Sequence, residues 1–484
     1  MSWIQDRRGP LVQSYPAAVA LVVCALVPFL MLTATMIPLA PVVAKGVGLS
    51  RDSLQLAIAM SDAAYAFGTV LAVQFAQHLR QRRMLVLYLV VFVIASFLAT
   101  WAPTGAVFFA AFVAQGICTS LMLIAAVPPL VTGWPVKRMP WTGGIMNLCI
   151  FGGVAAGPSI GALSAGEHSW RPLFAIVAAI ACVALLLALL TFEDAPPQDL
   201  SAPWDVVAVT LAGGGVAAAF FGASELETRR AASALALVPL VVGGAAVALL
   251  VVHQFRHRRA LMPVRQLATT LPLFGILIAL SASASAFGLT ELTLTVLQAR
   301  DPGGTALLFL PEVGAAVVTA ALFGALFRRR SIVFLPPAGL LILVAAAALL
   351  IPVAHAGALR VAVGTTLLGL GLGASVSPGL FIAGFSLRSA QIQRVFAMIE
   401  LLRGVAAFLF APIVLFLVAL IGLSAGAWIC LGIVSAAALA STLLYLLGGA
   451  RPQEPDLPCW TDEGRPAWHS PPLLARLRDR PRER

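Results

Sequence analysis

The sequence predicts an all-helical protein embedded in a lipid bilayer, on three observations. Of 484 residues, 60% are hydrophobic and only 11% charged, whereas globular domains run about 45–50% apolar and about 25% charged. Apolar runs able to cross roughly 30 Å of hydrocarbon at about 1.5 Å per residue recur along the whole chain. The basic residues collect in short clusters between those runs, where they orient a membrane protein. The formal charge of +11 is therefore accounted for without nucleic acid.

The runs give fourteen spans. The first, 16–44, follows Arg7 and Arg8; it is too long for a signal-peptide core and lacks a small-residue cleavage site, so it is expected to stay attached. Span 2 (54–77) ends at the basic loop Arg80, Arg82 and Arg83, and spans 3 (84–102) and 4 (105–133) are parted only by Ala-Pro-Thr. Span 5 (141–165) follows Lys137 and Arg138, and span 6 (170–192) opens on Trp170-Arg171. Spans 7 (204–222) and 8 (232–253) precede the cluster Arg256, Arg258, Arg259 and Arg265. Spans 9 (270–298) and 10 (305–327) lead to Arg328, Arg329 and Arg330; spans 11 to 14 are 332–353, 359–386, 395–420 and 425–447.

With the N-terminus cytoplasmic, 23 of the 31 basic residues fall on the inner side, seven on the outer side, and Arg403 lies within a span. That bias predicts both termini inside the cell (inner) membrane of a multi-pass protein. The tail 451–484, rich in Pro and Arg, is expected to be disordered and cytoplasmic. The six cysteines occur singly, five of them within apolar runs, and read as packing residues rather than metal ligands or disulfides.

Three features recur at an offset of about 250 residues. Arg80–Arg83 returns as Arg328–Arg330, Pro128 as Pro378, and Gly153-Val-Ala-Ala as Gly404-Val-Ala-Ala. Six spans occupy about 180 residues, so the surplus of roughly 65 corresponds to two inserted spans. The expected organisation is 1–15 N-terminus, 16–192 first six-helix half, 193–268 two inserted helices with flanking loops, 269–450 second half, and 451–484 tail. Two six-helix halves related by an axis along the membrane normal describe the major facilitator arrangement, with substrate bound near the midplane between them. The predicted fold is thus 6+2+6.

Span 5 carries Gly144, eight residues, Gly153, three residues, Gly157-Pro158, two residues, Gly161. Glycines 153, 157 and 161 form a stripe without side chains that lets a helix approach closely, and Pro158 can kink its own helix. This pattern resembles the antiporter motif of the drug/proton antiporters of the major facilitator superfamily. Trp170-Arg171-Pro-Leu-Phe174, Gln115-Gly116, Leu297-Gln298, Leu308-Phe-Leu-Pro311 and Arg403-Gly404 are similar to residues of its 14-span multidrug exporters. The chain also departs from that branch. Thr33 stands where span 1 usually has an acid, Phe112 replaces an arginine of span 4, and Gln74, His78 and Gln81 replace the Gly, Asp and Gly of the gating loop. Only Arg80, Arg82 and Arg83 survive there.

A carboxylate at mid-span costs about 2.5–3.5 kcal/mol on insertion scales, so those retained are functional candidates. Asp62, Glu291 and Glu312 are expected to carry protons. Glu312 is close enough to the outer end of its span to be hydrated, and Glu291 has Thr290 and Thr293 as hydrogen-bonding neighbours. Glu400 and Arg403, one turn apart, read as a pair that is structural before it is coupling. Met31, Thr33, Met36, Gln115, Phe287 and Gln298 are the expected substrate-cavity residues, with Phe29 and Phe396 as further apolar contacts.

These observations point to a secondary exporter of small amphipathic or toxic compounds by alternating access, with protons as co-substrate. A non-coupled facilitator or a transport-inactive receptor or scaffold of the same fold is the alternative. An ATP-driven pump is disfavoured because this chain has no P-loop, neither Lys45 nor Lys137 following a glycine. An enzyme is disfavoured: HExxH and Gly-x-Ser-x-Gly are missing, and the His253/His257 pair sits among basic residues at the end of span 8. No cofactor, metal or nucleic-acid partner is expected. The 14-span resemblance further implies a periplasmic adaptor and an outer-membrane channel as partners where the host has two membranes.

Overall fold

The computed structural model describes residues 10–229 and 231–478. Among them are fourteen helices long and apolar enough to cross a membrane. The first six are α1 (Tyr15–Val47), α2 (Arg51–His78), α3 (Gln81–Thr100), α4 (Gly105–Thr132), α5 (Val136–Gly166) and α6 (Arg171–Thr191). The pair α7 (Val206–Arg229) and α8 (Ala234–Arg256) follows. The last six are α9 (Thr270–Arg300), α10 (Gly304–Leu326), α11 (Arg330–Leu350), α12 (Ala358–Phe385), α13 (Ser389–Ile421) and α14 (Leu423–Gly448). The narrow break after Thr100 is real: Thr104 starts α4 as its N-cap, its side chain accepting from Val107 N, which satisfies one orphan donor of the first turn. α1 stops at Gly48 and α14 at Gly449, both left-handed (φ 70° and 69°), a conformation that glycine adopts without strain.

The helix pairings repeat. In the first bundle α1 packs on α4, α5 and α6, α2 on α4, and α3 on α4 and α6. In the second, α9 packs on α12, α13 and α14, α10 on α12, and α11 on α12 and α14. Adding eight to each helix number converts one set into the other, as a duplicated six-helix unit requires. The bundles meet along two seams, α5 with α10 and α2 with α13. The inserted hairpin packs on itself through Gly215, Gly222 and Gly243, and α7 lies on both α2 and α13. Its outer helix α8 exposes Val238, Val241, Val242 and Leu249, side chains suited to lipid.

An even number of crossings leaves the described ends on one face, which also carries Arg80–Arg83, Arg138, Arg256 and Arg328–Arg330. The basic residues Arg7, Arg8, Arg230, Arg480, Arg482 and Arg484 lie outside the described residues. The tail departs from its expected disorder as far as residue 478. A short helix α15 (Leu457–Asp462) presents Trp460, fully buried, edge-on to Phe385 at 4.5 Å, and its Nε1 donates to Leu387 O at 2.9 Å. Trp468 is buried beside it, and Ala467 N donates to Phe385 O at 2.8 Å. Counting Pro and Arg missed two indoles, each able to bury 150–250 Å² by the usual measure of about that size.

Candidate functional site

A cavity opens between the bundles in the half of the molecule away from the basic face. Each wall is one stripe of one helix. α2 contributes Gln55, Ile58, Ala59 and Asp62; α7 contributes Phe220, Ala223, Ser224 and Glu227; α1 gives Thr33 and Ile37. Phe287 and Glu291 come from α9, and Ala407, Phe408, Ala411 and Pro412 from α13. Spacings of three and four residues bring such side chains onto one helical face. Asp62 lies eleven residues from the start of α2 and Glu291 nine from the end of α9, hence about 16 Å and about 14 Å deep at 1.5 Å per residue.

Three carboxylates therefore share one space. Asp62 and Glu227 both lie within electrostatic reach of Glu291. Gln55 Nε2 donates to Glu227 Oε2 at 2.8 Å. The expected threonine support of Glu291 is not what forms: Thr293 Oγ1 is buried without a partner. Thr33, the residue in the usual place of an acid, lines the same cavity as Asp62, while its hydroxyl donates to Leu30 O at 2.7 Å.

Below the cavity, at mid-depth, a buried ionic cluster ties the bundles together. Arg403 donates to Glu400 Oε2 through Nη2 at 2.6 Å and Nε at 2.9 Å. Tyr65 of α2 stands across the seam, with its hydroxyl 3.4 Å from Glu400 Oε2. The Arg403 guanidinium also sits 6.0 Å over the ring of Phe151 on α5. Toward the basic face lies a second, mostly apolar space lined by Ile124, Met146, Ser377, Phe381, Phe396 and Glu400. Contacts between the bundles close that face. Gln393 Nε2 donates to Ile124 O at 3.0 Å, Arg328 Nη2 to Val136 O at 3.1 Å, and Gln198 meets Gln393.

The glycine motif is divided between two partners. Gly157 and Gly161 press on α1: a Cβ on Gly157 would lie 2.7 Å from Ala34 Cβ and Met31 O, and one on Gly161 2.5 Å from Thr35 O. A Cβ on Gly153 would lie 3.5 Å from Val27 Cγ1 of α1, whereas one on Gly144 would lie 2.9 Å from Ala320 O of α10. Nine residues at about 100° each place Gly153 on another side of the helix from Gly144. A π-helical turn, Leu148–Gly152, lies between them, and Pro158 sits within the regular helix that follows.

The remaining expected residues separate. Arg80 pairs with Asp194 at 2.6 Å and Arg82 Nη2 donates to Leu189 O at 2.8 Å, tying the α2–α3 loop to the end of α6; Arg83 is exposed. Phe287 lines the upper cavity and Phe396 the lower one. Met36 and Gln115 line neither of these two spaces: both are fully buried in helix packing, Gln115 donating to Ser96 Oγ at 2.9 Å. Gln298 sits near the end of α9, beyond the cavity wall, and Met31 turns its backbone carbonyl to Gly157. Phe29 stacks with Tyr65 at 6.2 Å and Phe112 packs among Phe29, Phe108 and Phe174, an aromatic cluster where the resemblance expects a cation. Glu312 is 2% exposed rather than hydrated. It lies against Gly369 of α12, with Oε2 buried and unpartnered, outside both cavity walls. Gln55, Tyr65, Phe220, Ser224, Glu227 and Phe408 were not singled out by sequence.

A duplicated helical bundle with a carboxylate-bearing cavity between its halves is the architecture of a multi-pass membrane transporter. The chain belongs to the Major Facilitator Superfamily, whose model matches residues 21–410. An uncharacterised MFS-type transporter, YcnB of Bacillus subtilis (strain 168), is 23% identical over 184 residues, 38% of this chain and 39% of that one. The lincomycin resistance protein LmrB of Listeria monocytogenes is 28% identical over 173 residues, 35% of this chain and 36% of that one. The alignments thus span less than two fifths of each relative's length. Among solved structures, the human organic anion transporter MFSD10 (TETRAN) superposes with a TM-score of 0.63 at 13% identity, covering 88% of this chain and 99% of that one. The POT family transporter PepTSo gives 0.61 at 14%, covering 89% and 97%. At these identities the likeness is one of fold.

Proposed function

We propose that the protein is a secondary active exporter of small amphipathic or toxic compounds across the cytoplasmic membrane, coupled to proton entry, with its basic face in the cytoplasm. The observation that carries this reading is the cavity in which Asp62 and Glu291 stand at mid-depth on opposite bundles. A carboxyl that is hydrated in one state and shielded in the other exchanges its proton between the two sides as the bundles rock. Asp62 on α2 takes the place of the missing acid beside Thr33. The drug-resistance relatives support export of toxic compounds as the biological task.

The test is dye uptake into inverted vesicles under an imposed pH gradient, acidic inside. Asp62→Asn should abolish gradient-driven accumulation while the purified variant keeps its melting temperature. Unaltered accumulation would remove Asp62 from the coupling path. Wild-type vesicles that equilibrate the dye without concentrating it would identify a facilitator.

A further inference from the structure

Helix ends leave backbone groups without partners inside the helix, and at the basic face two such ends are completed by the tail. α9 begins after Thr269, whose side chain makes no cap. Instead Thr270 N donates to Pro471 O at 3.1 Å, Leu271 N to Ser470 Oγ at 2.9 Å, and Thr270 Oγ1 to Pro472 O at 3.1 Å. At the end of α12 the carbonyls of Phe385 and Leu387 accept from Ala467 N and from the Trp460 indole. The tail is also folded on itself: Asp456 N donates to Ala467 O at 3.0 Å, and Trp468 Nε1 to Gln453 O at 3.2 Å. It is a small packed body fixed to the second bundle through α9 and α12.

The same body reaches the first bundle, where α15 lies beside Val136–Arg138 at the start of α5. That segment is held to its own bundle: the Arg138 guanidinium sits 4.6 Å over the ring of Tyr15 on α1, and the Tyr15 hydroxyl shares a hydrogen bond with Thr142 Oγ1 at 2.9 Å. The tail therefore crosses from one bundle to the other on the face where the bundles are closed together. We propose that residues 451–478 act as a strap that holds the basic face shut and is released each time the bundles part there. This inference rests on the rocking of the bundles in the proposed function, and on neither the proton coupling nor the cargo. The two attachments differ in strength. On the second bundle the strap has the buried Trp460 ring and the hydrogen bonds to α9 and α12. On the first it has a largely exposed contact between segments of opposite charge, Asp456, Asp462 and Glu463 around α15 and Lys137 and Arg138 at the start of α5. Exposed charges attract weakly, so this is the contact that yields while the tail travels with the second bundle.

The experiment is a pulsed electron paramagnetic resonance distance measurement on the purified full-length protein, with the six native cysteines replaced by alanine. Spin labels are attached at Arg83→Cys on the first bundle and Arg329→Cys on the second, both exposed positions of the basic face. The distance between them lengthens when that face opens. Trp460→Ala, which frees the strap from the second bundle, should raise the ratio of the longer to the shorter population by roughly threefold or more. Lys137→Glu, an exposed change that leaves the docked tail intact, should raise it by roughly twofold. Arg256→Glu, the same charge change on the inserted hairpin, should leave it unchanged. Melting temperatures show that each variant folds, and Lys137→Glu decides alone if Trp460→Ala does not. An unchanged ratio in Lys137→Glu, an unchanged ratio in folded Trp460→Ala, or an equal rise in Arg256→Glu would each overturn the strap. Because the distances need neither gradient nor dye, a strap that releases in a protein whose dye accumulation ignores Asp62→Asn would refute the proposed coupling and leave this inference standing.

Discussion

The two Gly-Val-Ala-Ala segments, in α5 and α13, are the same sequence at equivalent places in the repeat and end in different work. In α5 the helix continues with Gly157 and Gly161; the equivalent positions of α13, 251 residues on, are Phe408 and Pro412. The glycines let α5 close on α1 to backbone contact. Phe408 instead reaches Phe287 of α9 at 5.1 Å and Tyr65 of α2 at 6.1 Å, and both Phe408 and Pro412 line the cavity. The repeat thus builds one tight helix pair and one pair with bulk between its helices, and the cavity lies beside the second. A duplicated backbone sets the helix partners, and a few side-chain volumes decide where the space remains.

The largest effect should come from the charge that α13 alone carries. Glu400→Gln leaves Arg403, 2% exposed, without its carboxylate, and breaking a buried pair from one side costs about 3–5 kcal/mol. The variant is expected to lose most folded protein, read as monodisperse yield from detergent. A Glu400→Gln, Arg403→Met double variant should recover much of it. Failure of that recovery would mean that the cluster does more than neutralise itself.

Next in size are Gly157→Ala and Gly161→Ala. Each new methyl would meet backbone atoms at 2.9 Å or less, and overpacking of this kind costs about 1–3 kcal/mol. Both variants should melt lower than wild type and transport poorly. A wild-type melting temperature for either would show that α1 and α5 are not held at the distance described.

The contrast explains what was legible in the sequence. Span existence follows from hydropathy, and the two inserted spans follow from the offset between repeated motifs; both hold in the structure. The glycine stripe was readable because absence of a side chain has one meaning on a packed helix. Glu227 was not: span 7 appeared to end at residue 222, before Glu225 and Glu227, because a hydropathy window stops where charges begin, whereas α7 continues to Arg229. Met36 and Gln115 were placed in the cavity because a span reveals its residue types and not which way each faces among several neighbours. Tyr65 was invisible for a related reason, since its partners lie 335 and 338 residues away. Trp460 and Trp468 were hidden by the average composition of the tail.

Tyr65→Phe probes the seam between the halves more gently. The hydroxyl is 3.4 Å from Glu400 and 3.5 Å from Arg403 Nη2, long contacts beside the 2.6 Å ion pair, so its loss should cost about 1 kcal/mol. The ring and its packing on Phe29 and Phe408 remain. Melting temperature should fall slightly and transport should persist. Loss of all transport would promote the tyrosine hydroxyl from a strap across the seam to part of the coupling path.

The smallest effect, and the sharpest test of the comparison, is the matched pair Gly153→Ala and Gly404→Ala. A Cβ at 153 would find Val27 Cγ1 at 3.5 Å, and one at 404 would find Ala66 Cβ at 3.6 Å and Tyr65 Cδ1 at 3.7 Å, ordinary contact distances in both cases. Alanine also removes the entropic penalty of a mid-helix glycine, about 0.5–1 kcal/mol. Both variants should therefore melt at or above the wild-type temperature, although Gly153 belongs to the motif and Gly404 sits on the seam between bundles. The prediction separates spacing from sequence: within one four-residue stripe, position 153 should accept a methyl that position 157 refuses. If Gly153→Ala were as damaging as Gly157→Ala, α5 would have to bring position 153 much closer to α1 at another point of the transport cycle, and the difference between the two repeats would be one of motion rather than of side-chain volume.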